Sequence, residues 1–100
     1  MKYRTVFISI IFLLTLLGCG KEPIADFSWE PKQPKVGQEV KFSNLSTNAK
    51  SYSWNFGDMS IGKESDPIHI YLKKGSYIVD LNAQNGLQSN EKTVTINVVD

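Results

Sequence analysis

The sequence predicts an all-β domain, a seven-stranded β-sandwich of two sheets, that follows a short apolar N-terminal segment. Three observations lead to this prediction. About seven short segments alternate between apolar and polar residues, they recur roughly every ten residues, and no helical period appears after residue 19. Short strands at such spacing, separated by turn residues, are typical of a β-sandwich. A chain of 100 residues with 41% hydrophobic and 11% aromatic side chains suits one such domain.

The first half of the predicted domain contains three alternating segments. The clearest is YSWNF, in which three aromatic residues alternate with Ser53 and Asn55. Side chains alternate between the two faces of a strand, so we expect the aromatic residues to share the core. Turn residues, including Pro34 and Gly37, separate the segments. The segments and their inward residues are 24–31 with Ala25, Phe27 and Trp29, 39–43 with Val40 and Phe42, and 52–56 with Tyr52, Trp54 and Phe56.

The second half contains three more alternating segments. Residues 57–67 are polar and are predicted to form a loop before the first of them. Asn85-Gly86 predicts a hairpin turn, because both residues tolerate a positive φ. The segments and their inward residues are 68–72 with His69 and Tyr71, 77–83 with Tyr77, Val79 and Leu81, and 92–99 with Val94, Ile96 and Val98.

The N-terminal residues differ from the rest of the chain. Lys2 and Arg4 precede VFISIIFLLTLL, a run of twelve uncharged residues. A stable membrane-spanning helix needs about 20 apolar residues, whereas a shorter run after a basic start is typical of a signal peptide. LLGC at 16–19 follows and resembles the bacterial lipobox, with Leu16, Gly18 and Cys19 at its defining positions.

The lipobox resemblance implies a bacterial lipoprotein. In that family signal peptidase II cleaves before the cysteine, which then carries acyl chains. We therefore expect residues 1–18 to be a signal peptide, Cys19 to be lipidated, residues 19–23 to be a short tether, and residues 24–100 to be the domain. The expected location is the extracytoplasmic side of a bacterial membrane, the outer membrane if the organism is Gram-negative. The membrane would be a partner through the N-terminal lipid.

Composition excludes several functions. The formal net charge is +1, and Lys73-Lys74 is the only adjacent basic pair, so nothing indicates nucleic-acid binding. Cys19 is the only cysteine, which excludes an intramolecular disulfide and a multi-cysteine zinc site. A nucleophilic pair of Cys19 and His69 is the competing interpretation, but Cys19 stands where a lipid belongs. No cofactor and no enzymatic activity are expected.

Three motifs resemble the PKD domain, an immunoglobulin-like β-sandwich. They are WNFGD at 54–58, PIHIY at 67–71 and GSYIVDL at 75–81, and they stand in the order and spacing of that family. One departure is Met59, which occupies the position of a usual glycine, so we expect a different backbone in that turn. The motif residues are Trp54, Phe56, Gly57, Asp58, Pro67, His69, Tyr71, Gly75 and Tyr77.

The motif residues are predicted to be structural. Asp58 is suited to accept hydrogen bonds from N–H groups of the following loop. His69 has the parity of an inward residue and is expected to bond to the same loop. Gly75 and Tyr77 resemble a tyrosine corner, whose hydroxyl ties a turn to neighbouring backbone.

Two chemical alternatives compete with this structural interpretation. Asp58, Glu64 and Asp66 lie in one loop and are weak candidates for calcium ligands, since carboxylate oxygens suit that ion. Some PKD domains of secreted collagenases bind calcium, so the resemblance makes the question relevant. The alternative for these carboxylates is turn capping, and the prediction is that no metal is bound. An acid–base pair of Asp58 and His69 lacks an accompanying nucleophile or oxyanion donor.

The sequence favours a non-enzymatic module that binds a protein or glycan at the cell envelope. An accessory subunit of an envelope or secreted hydrolase and a coat protein without a specific ligand are the alternatives. If segments 52–56, 77–83 and 92–99 form one sheet, their outward residues are Ser, Asn and Thr with few apolar ones. The residues predicted for a binding face are Ile70, Ile78, Asp80 and Thr95.

Overall fold

The computed structural model describes residues Lys21–Asp100, so the predicted signal peptide and Cys19 lie outside the described residues. This part of the chain contains seven strands and no α-helix, and hence no helix long and apolar enough to cross a membrane. In chain order the strands are β1 (Phe27–Glu30), β2 (Glu39–Asn44), β3 (Ser51–Asn55), β4 (Ile61–Gly62), β5 (Ile68–Ile70), β6 (Gly75–Asn85) and β7 (Gln88–Val98).

The strands form two sheets, which confirms the predicted β-sandwich. One sheet has three strands in the order β1-β2-β5, and the other has four in the order β4-β3-β6-β7. Neighbouring strands in both sheets are antiparallel. The predicted grouping of 52–56, 77–83 and 92–99 in one sheet is also confirmed, since β3, β6 and β7 are adjacent.

Three details differ from the sequence prediction. The two-residue strand β4 lies inside the predicted loop 57–67, where it pairs with the end of β3. Strands β6 and β7 are longer than predicted, with 11 residues each. The hairpin turn is one residue later than predicted, because Asn85 pairs with Gln88 and leaves Gly86 and Leu87 in the turn. Of these two, Gly86 takes the positive φ, at 64°, which suits a glycine at the first turn position.

The core lies between the sheets and is built around aromatic rings. Trp54 is 1% exposed, and its ring centroid lies 5.0 Å from that of Phe27 and 5.3 Å from that of Phe42. Edge-on and tilted contacts at this distance are favourable arrangements for aromatic pairs. The predicted inward residues Val79, Leu81, Ile96 and Val98 of β6 and β7 are buried and complete the core together with Ala83.

Four hydrophobic residues predicted to face inward are only partly buried at the rim of the core. They pack against the core but keep part of their surface in water. Trp29 stays partly exposed because it has polar contacts at the surface. Its Nε1–H donates to the Lys32 carbonyl at 3.1 Å, and the Lys32 ammonium lies 4.2 Å from the ring centroid. The four residues are Trp29, Tyr52, Tyr77 and Val94.

The chain before β1 contacts the end of the domain that holds the β6–β7 turn. The carbonyl of Lys21 accepts a hydrogen bond from Asn85 Nδ2 at 3.4 Å, and the carbonyl of Glu22 accepts one from Asn48 Nδ2 at 3.3 Å. Pro23 is buried. The described part of the predicted tether therefore lies against the domain.

Candidate functional site

The loop after β3 is fixed by Asp58 and His69, as predicted. His69 Nε2 lies 2.7 Å from Asp58 Oδ2, and its N–H donates because a carboxylate only accepts. Asp58 Oδ1 accepts a second bond from the backbone N–H of Ser60 at 3.1 Å. The imidazole of His69 stacks on Phe56, with 4.2 Å between centroids and 6° between planes. This pair therefore closes the loop onto β5 rather than leaving two free catalytic groups.

Two tyrosines tie further turns to the backbone. The buried Tyr71 hydroxyl donates to the Phe56 carbonyl at 2.8 Å, and the Tyr77 hydroxyl donates to the Lys73 carbonyl at 2.6 Å. Burial raises the pKa of the Tyr71 phenol, so it remains a proton donor at every physiological pH. The role predicted for Tyr77 agrees with this geometry. The hydrogen bond from Tyr71 was not predicted. The alternation of side chains along a strand predicts which face the ring lies on, but it does not predict the hydrogen-bond partner of the hydroxyl.

The turn between Phe56 and Ser60 places two residues in the left-handed region. Gly57 has a φ of 86°, and a Cβ there would lie 2.5 Å from the carbonyl oxygen of Ile78. Met59 has a φ of 75° and is 98% exposed. Met59 itself therefore adopts a backbone conformation that favours glycine, the residue usual at this position in the resemblance. The turn thus stores strain at Met59.

The three calcium candidates do not converge. Asp58 bonds to His69, and Asp66 Oδ1 accepts the backbone N–H of Asn44 at 2.8 Å. Glu64 contributes its backbone carbonyl, which accepts the Trp54 Nε1–H at 2.8 Å. No group of three or more His, Cys, Asp or Glu side chains suited to a metal occurs among residues Lys21–Asp100. Two of the three carboxylates accept hydrogen bonds from backbone N–H groups. This arrangement corresponds to turn capping, which was the alternative to calcium binding for this loop.

A cleft of about 370 Å³ lies beside the Asp58–His69 pair. Its central polar groups already have structural partners, since His69 Nε2 bonds to Asp58 and the backbone N–H of Ser60 bonds to the same carboxylate. Ser60 is therefore not placed as a nucleophile next to a histidine base. The lining residues are Asp58, Ser60, His69, Ile70, Leu72, Lys73 and Tyr77.

The outer face of the four-stranded sheet is the candidate binding surface. Ile78 is 61% exposed and pairs across the sheet with Thr95, which is also exposed. In the next rung Asp80 pairs with Thr93, whose hydroxyl donates to the Asp80 carboxylate at 2.9 Å. The face combines one central aliphatic side chain with a row of hydroxyls, amides and a carboxylate. Its predicted outward residues are Ser53, Asn55, Ile78, Asp80, Asn82, Thr93, Thr95 and Asn97.

Two members of this face were not predicted. Glu91 lies across from Asn82, and the neighbouring Asp80 carboxylate raises the pKa of Glu91. Ile61 on β4 pairs with Asn55 and is 74% exposed. The alternation of side chains along 91–97 would have predicted that Glu91 faces outward. Ile61 could not be predicted in this way, because it lies on a strand too short to recognise in the sequence.

Ile70 lies on another surface. It belongs to β5 in the three-stranded sheet, is 41% exposed, and lines the cleft beside the Asp58–His69 pair. The predicted face residues Ile70 and Ile78 are therefore on different sheets and cannot form one contact patch with Asp80 and Thr95. They define two alternative surfaces.

Comparison with known proteins identifies the class of domain. The model of the PKD domain family matches residues 26–98, so the chain belongs to this family. Its domain is an immunoglobulin-like β-sandwich, and the family consists of non-catalytic modules, although relatives are parts of enzymes.

Two curated relatives are collagenases of Bacillus cereus. The chain is 37% identical to collagenase ColA over 65 residues, which are 58% of this chain and 7% of that protein. It is 43% identical to collagenase ColQ1 over 49 residues, 46% of this chain and 5% of that protein. The chain thus spans less than a tenth of the length of these relatives.

Solved structures agree with the family assignment. The PKD1 domain of the Vibrio cholerae metalloprotease PrtV is similar with a TM-score of 0.67 and 29% identity, over 80% of this chain and 100% of that one. A structure described under carbohydrate-binding modules of the β-sandwich superfamily is similar with a TM-score of 0.74 and 28% identity. That similarity covers 80% of this chain and 35% of the other.

Proposed function

We propose that this chain is a lipid-anchored lipoprotein of the bacterial cell envelope, whose PKD domain binds a partner through the outer face of the four-stranded sheet. The observation that carries the proposal is the composition of that face. Ile78 stands exposed at its centre among Ser, Thr and Asn side chains, with the carboxylates of Asp80 and Glu91 on the same face. Lysine, which is depleted in interface cores, occupies no outward position from Ser53 to Asn97 on these strands.

The partner is a protein or a glycan, and the surface favours a protein. Within the described residues the outward positions of β3, β6 and β7 hold no aromatic ring on which a sugar could stack. Hydroxyl and amide groups around one aliphatic residue suit hydrogen bonding to a polypeptide with a small apolar contact. The similarity to a structure described under carbohydrate-binding modules keeps a glycan as the other candidate.

The anchor rests on the sequence of the N-terminal segment. Cys19 stands at the lipidated position of a lipobox, two residues before Lys21. Lys21 itself contacts Asn85 at the end of the domain. Consecutive Cα atoms are 3.8 Å apart, so Cys19 lies within about 8 Å of Lys21. A lipid on Cys19 would hold the domain directly against the bilayer surface.

A second candidate function is an accessory module of a secreted or envelope hydrolase. The similarity to the two collagenases and to the PrtV domain favours it, because those modules belong to enzymes. In that case the partner of the outer face would be the catalytic protein or its polymeric substrate. The two functions differ in whether the captured partner has hydrolase activity.

Two substitutions test the face. Ile78→Lys and Ile70→Lys place a charge on the two alternative surfaces, and both side chains are exposed enough for the variants to fold. Circular dichroism should show an unchanged fold, and a crosslinked pull-down from intact cells should lose the partner with Ile78→Lys and keep it with Ile70→Lys. If both folded variants retain every partner, the proposed face is wrong, and the loops at 44–50 and 84–90 are the next surfaces to test.

Cys19→Ala tests the anchor separately. The variant should remain an unprocessed precursor or move to the soluble fraction. Mass spectrometry of the wild-type protein should find Cys19 as an acylated N-terminus. A mature protein cleaved elsewhere, with a free thiol at Cys19, would exclude lipid anchoring.

A further inference from the structure

The end of the sandwich that holds the β6–β7 turn carries a fully exposed aliphatic side chain. Leu87 occupies the second position of the turn and is exposed to the same extent as in an extended peptide, at 105%. The side chain of Leu87 does not stabilise the fold by burial, because at this exposure it packs against no other residue of the domain. A second surface that buries Leu87 would gain the free energy of removing it from water.

The first described residues of the chain lie at this same end. Asn85, directly before the turn, bonds through its side chain to the carbonyl of Lys21. The neighbouring Glu22 is held by Asn48 of the loop between β2 and β3. Cys19 is two residues before Lys21 in the sequence, so with the proposed anchor a lipid would be linked to the chain within a reach of about 8 Å from a residue that contacts the residue before the turn.

Two more exposed aliphatic side chains lie near the first described residues of the chain. Ile24 forms a bridge with Thr47 and is 57% exposed, and Leu45 donates its N–H to Asp26 and is 53% exposed. The charged residues close to them in the chain or through these contacts are Lys21, Glu22, Lys50 and the ion pair of Asp26 with Lys92. Their charges nearly cancel, so contact with a membrane here depends on burial of apolar surface rather than on attraction to anionic lipid.

We infer that this end is a membrane-contact surface, with Leu87 inserted among the acyl chains at the bilayer interface and Ile24 and Leu45 beside it. The inference rests on the lipid anchor of the proposed function. It also fixes the orientation of the domain. Strands β6 and β7 rise away from the membrane, so the face around Ile78 stands upright and open to a partner.

Met59 provides a matched control at the opposite end. It is also a fully exposed apolar residue, at 98%. Its turn packs on the backbone of Ile78 through Gly57. Asn85 is seven positions after Ile78 on β6, which is about 23 Å at about 3.3 Å per residue. In the proposed orientation Met59 does not reach the bilayer.

The test is photocrosslinking of the full lipidated chain in phosphatidylcholine vesicles. The photoreactive residue benzoylphenylalanine is placed at Leu87 in one variant and at Met59 in the other, and lipid adducts are measured by mass spectrometry. We expect position 87 to yield roughly tenfold more adduct than position 59, since burial of a leucine-sized apolar group favours the inserted state by about that factor. The ratio should not change when anionic lipid is added.

Two outcomes overturn the inference, and the lipid analysis distinguishes them from failure of the anchor. If Cys19 is acylated in the same sample, equal yields of lipid adduct at positions 87 and 59 would exclude insertion of Leu87. The absence of any lipid adduct at position 87 would exclude it as well. If lipid adducts at position 87 form only when anionic lipid is present, the membrane contact is due to electrostatic attraction and not to insertion of apolar side chains. If Cys19 carries no lipid, the anchor of the proposed function fails as well.

Discussion

Replacing Met59 by glycine is expected to stabilise the protein. Met59 has a φ of 75°, and its side chain is 98% exposed. A residue with a Cβ pays about 1–2 kcal/mol for the left-handed conformation. Glycine avoids this, although its larger freedom in the unfolded chain opposes folding by about 0.5–1 kcal/mol. Since the exposed side chain packs against nothing, the net gain should be about 0.5–1 kcal/mol.

The measurement is thermal unfolding of wild type and Met59→Gly, followed by circular dichroism. A gain of this size corresponds to an increase in Tm of about 3–6 °C for a domain of this length. Met59→Ala is the control, because it removes the side chain but keeps the Cβ, and its Tm should stay within about 2 °C of wild type. A glycine variant that melts at or below the wild-type temperature would show that this turn is not strained.

Three further predictions concern the groups that fix the motif loop. Gly57→Ala should destabilise by about 2 kcal/mol or more, because it combines a positive φ with a Cβ only 2.5 Å from a backbone oxygen; denaturation with urea measures this. Tyr71→Phe should lower the free energy of unfolding by about 1–3 kcal/mol, since the buried carbonyl of Phe56 loses its donor, and an unchanged urea midpoint would mean that this carbonyl finds water instead. For Asp58, partial burial alone would raise the pKa, but the bonds from His69 and the loop backbone outweigh it and hold the pKa below 3.8. The ionised carboxylate therefore stabilises the fold above pH 3.8, and this contribution is lost as the pH falls further. Asp58→Asn should lower the Tm at neutral pH and should make the fall in Tm between about pH 5 and about pH 2 smaller than in wild type. If the Tm of the variant falls with pH as steeply as that of wild type, the ionised Asp58 carboxylate does not stabilise the fold.

The alternation of side chains was sufficient to predict most of the core. Trp54 and Phe56 are buried as their parity requires, and so are Leu81 and Ile96. This succeeded because a strand with one face in the core repeats every two residues, so the sequence pattern maps directly onto burial. The partial exposure of Trp29 was not predictable in this way, because it depends on the Lys32 carbonyl and ammonium near the ring.

Contacts between distant segments were not accessible from the sequence. The parallel bridge between Lys35 and Val99 ties a predicted turn to the last strand, and no local pattern marks it. Strand β4 has two residues, which is too short for a period to appear. The same limit applies to the candidate surfaces, since parity placed Ile70 and Ile78 outward but could not show that they belong to different sheets.

Binding of a partner at the membrane by the face around Ile78 is the central claim about this protein. The most direct measurement places a photoreactive residue at Ile78 in intact cells and compares it with Ser43, an exposed position on β2 of the other sheet. We predict one discrete crosslinked species at position 78, found in the membrane fraction, absent at position 43 and lost with Cys19→Ala. Identical crosslinking at both positions, or none at position 78 in a correctly folded and lipidated protein, would contradict the proposed function.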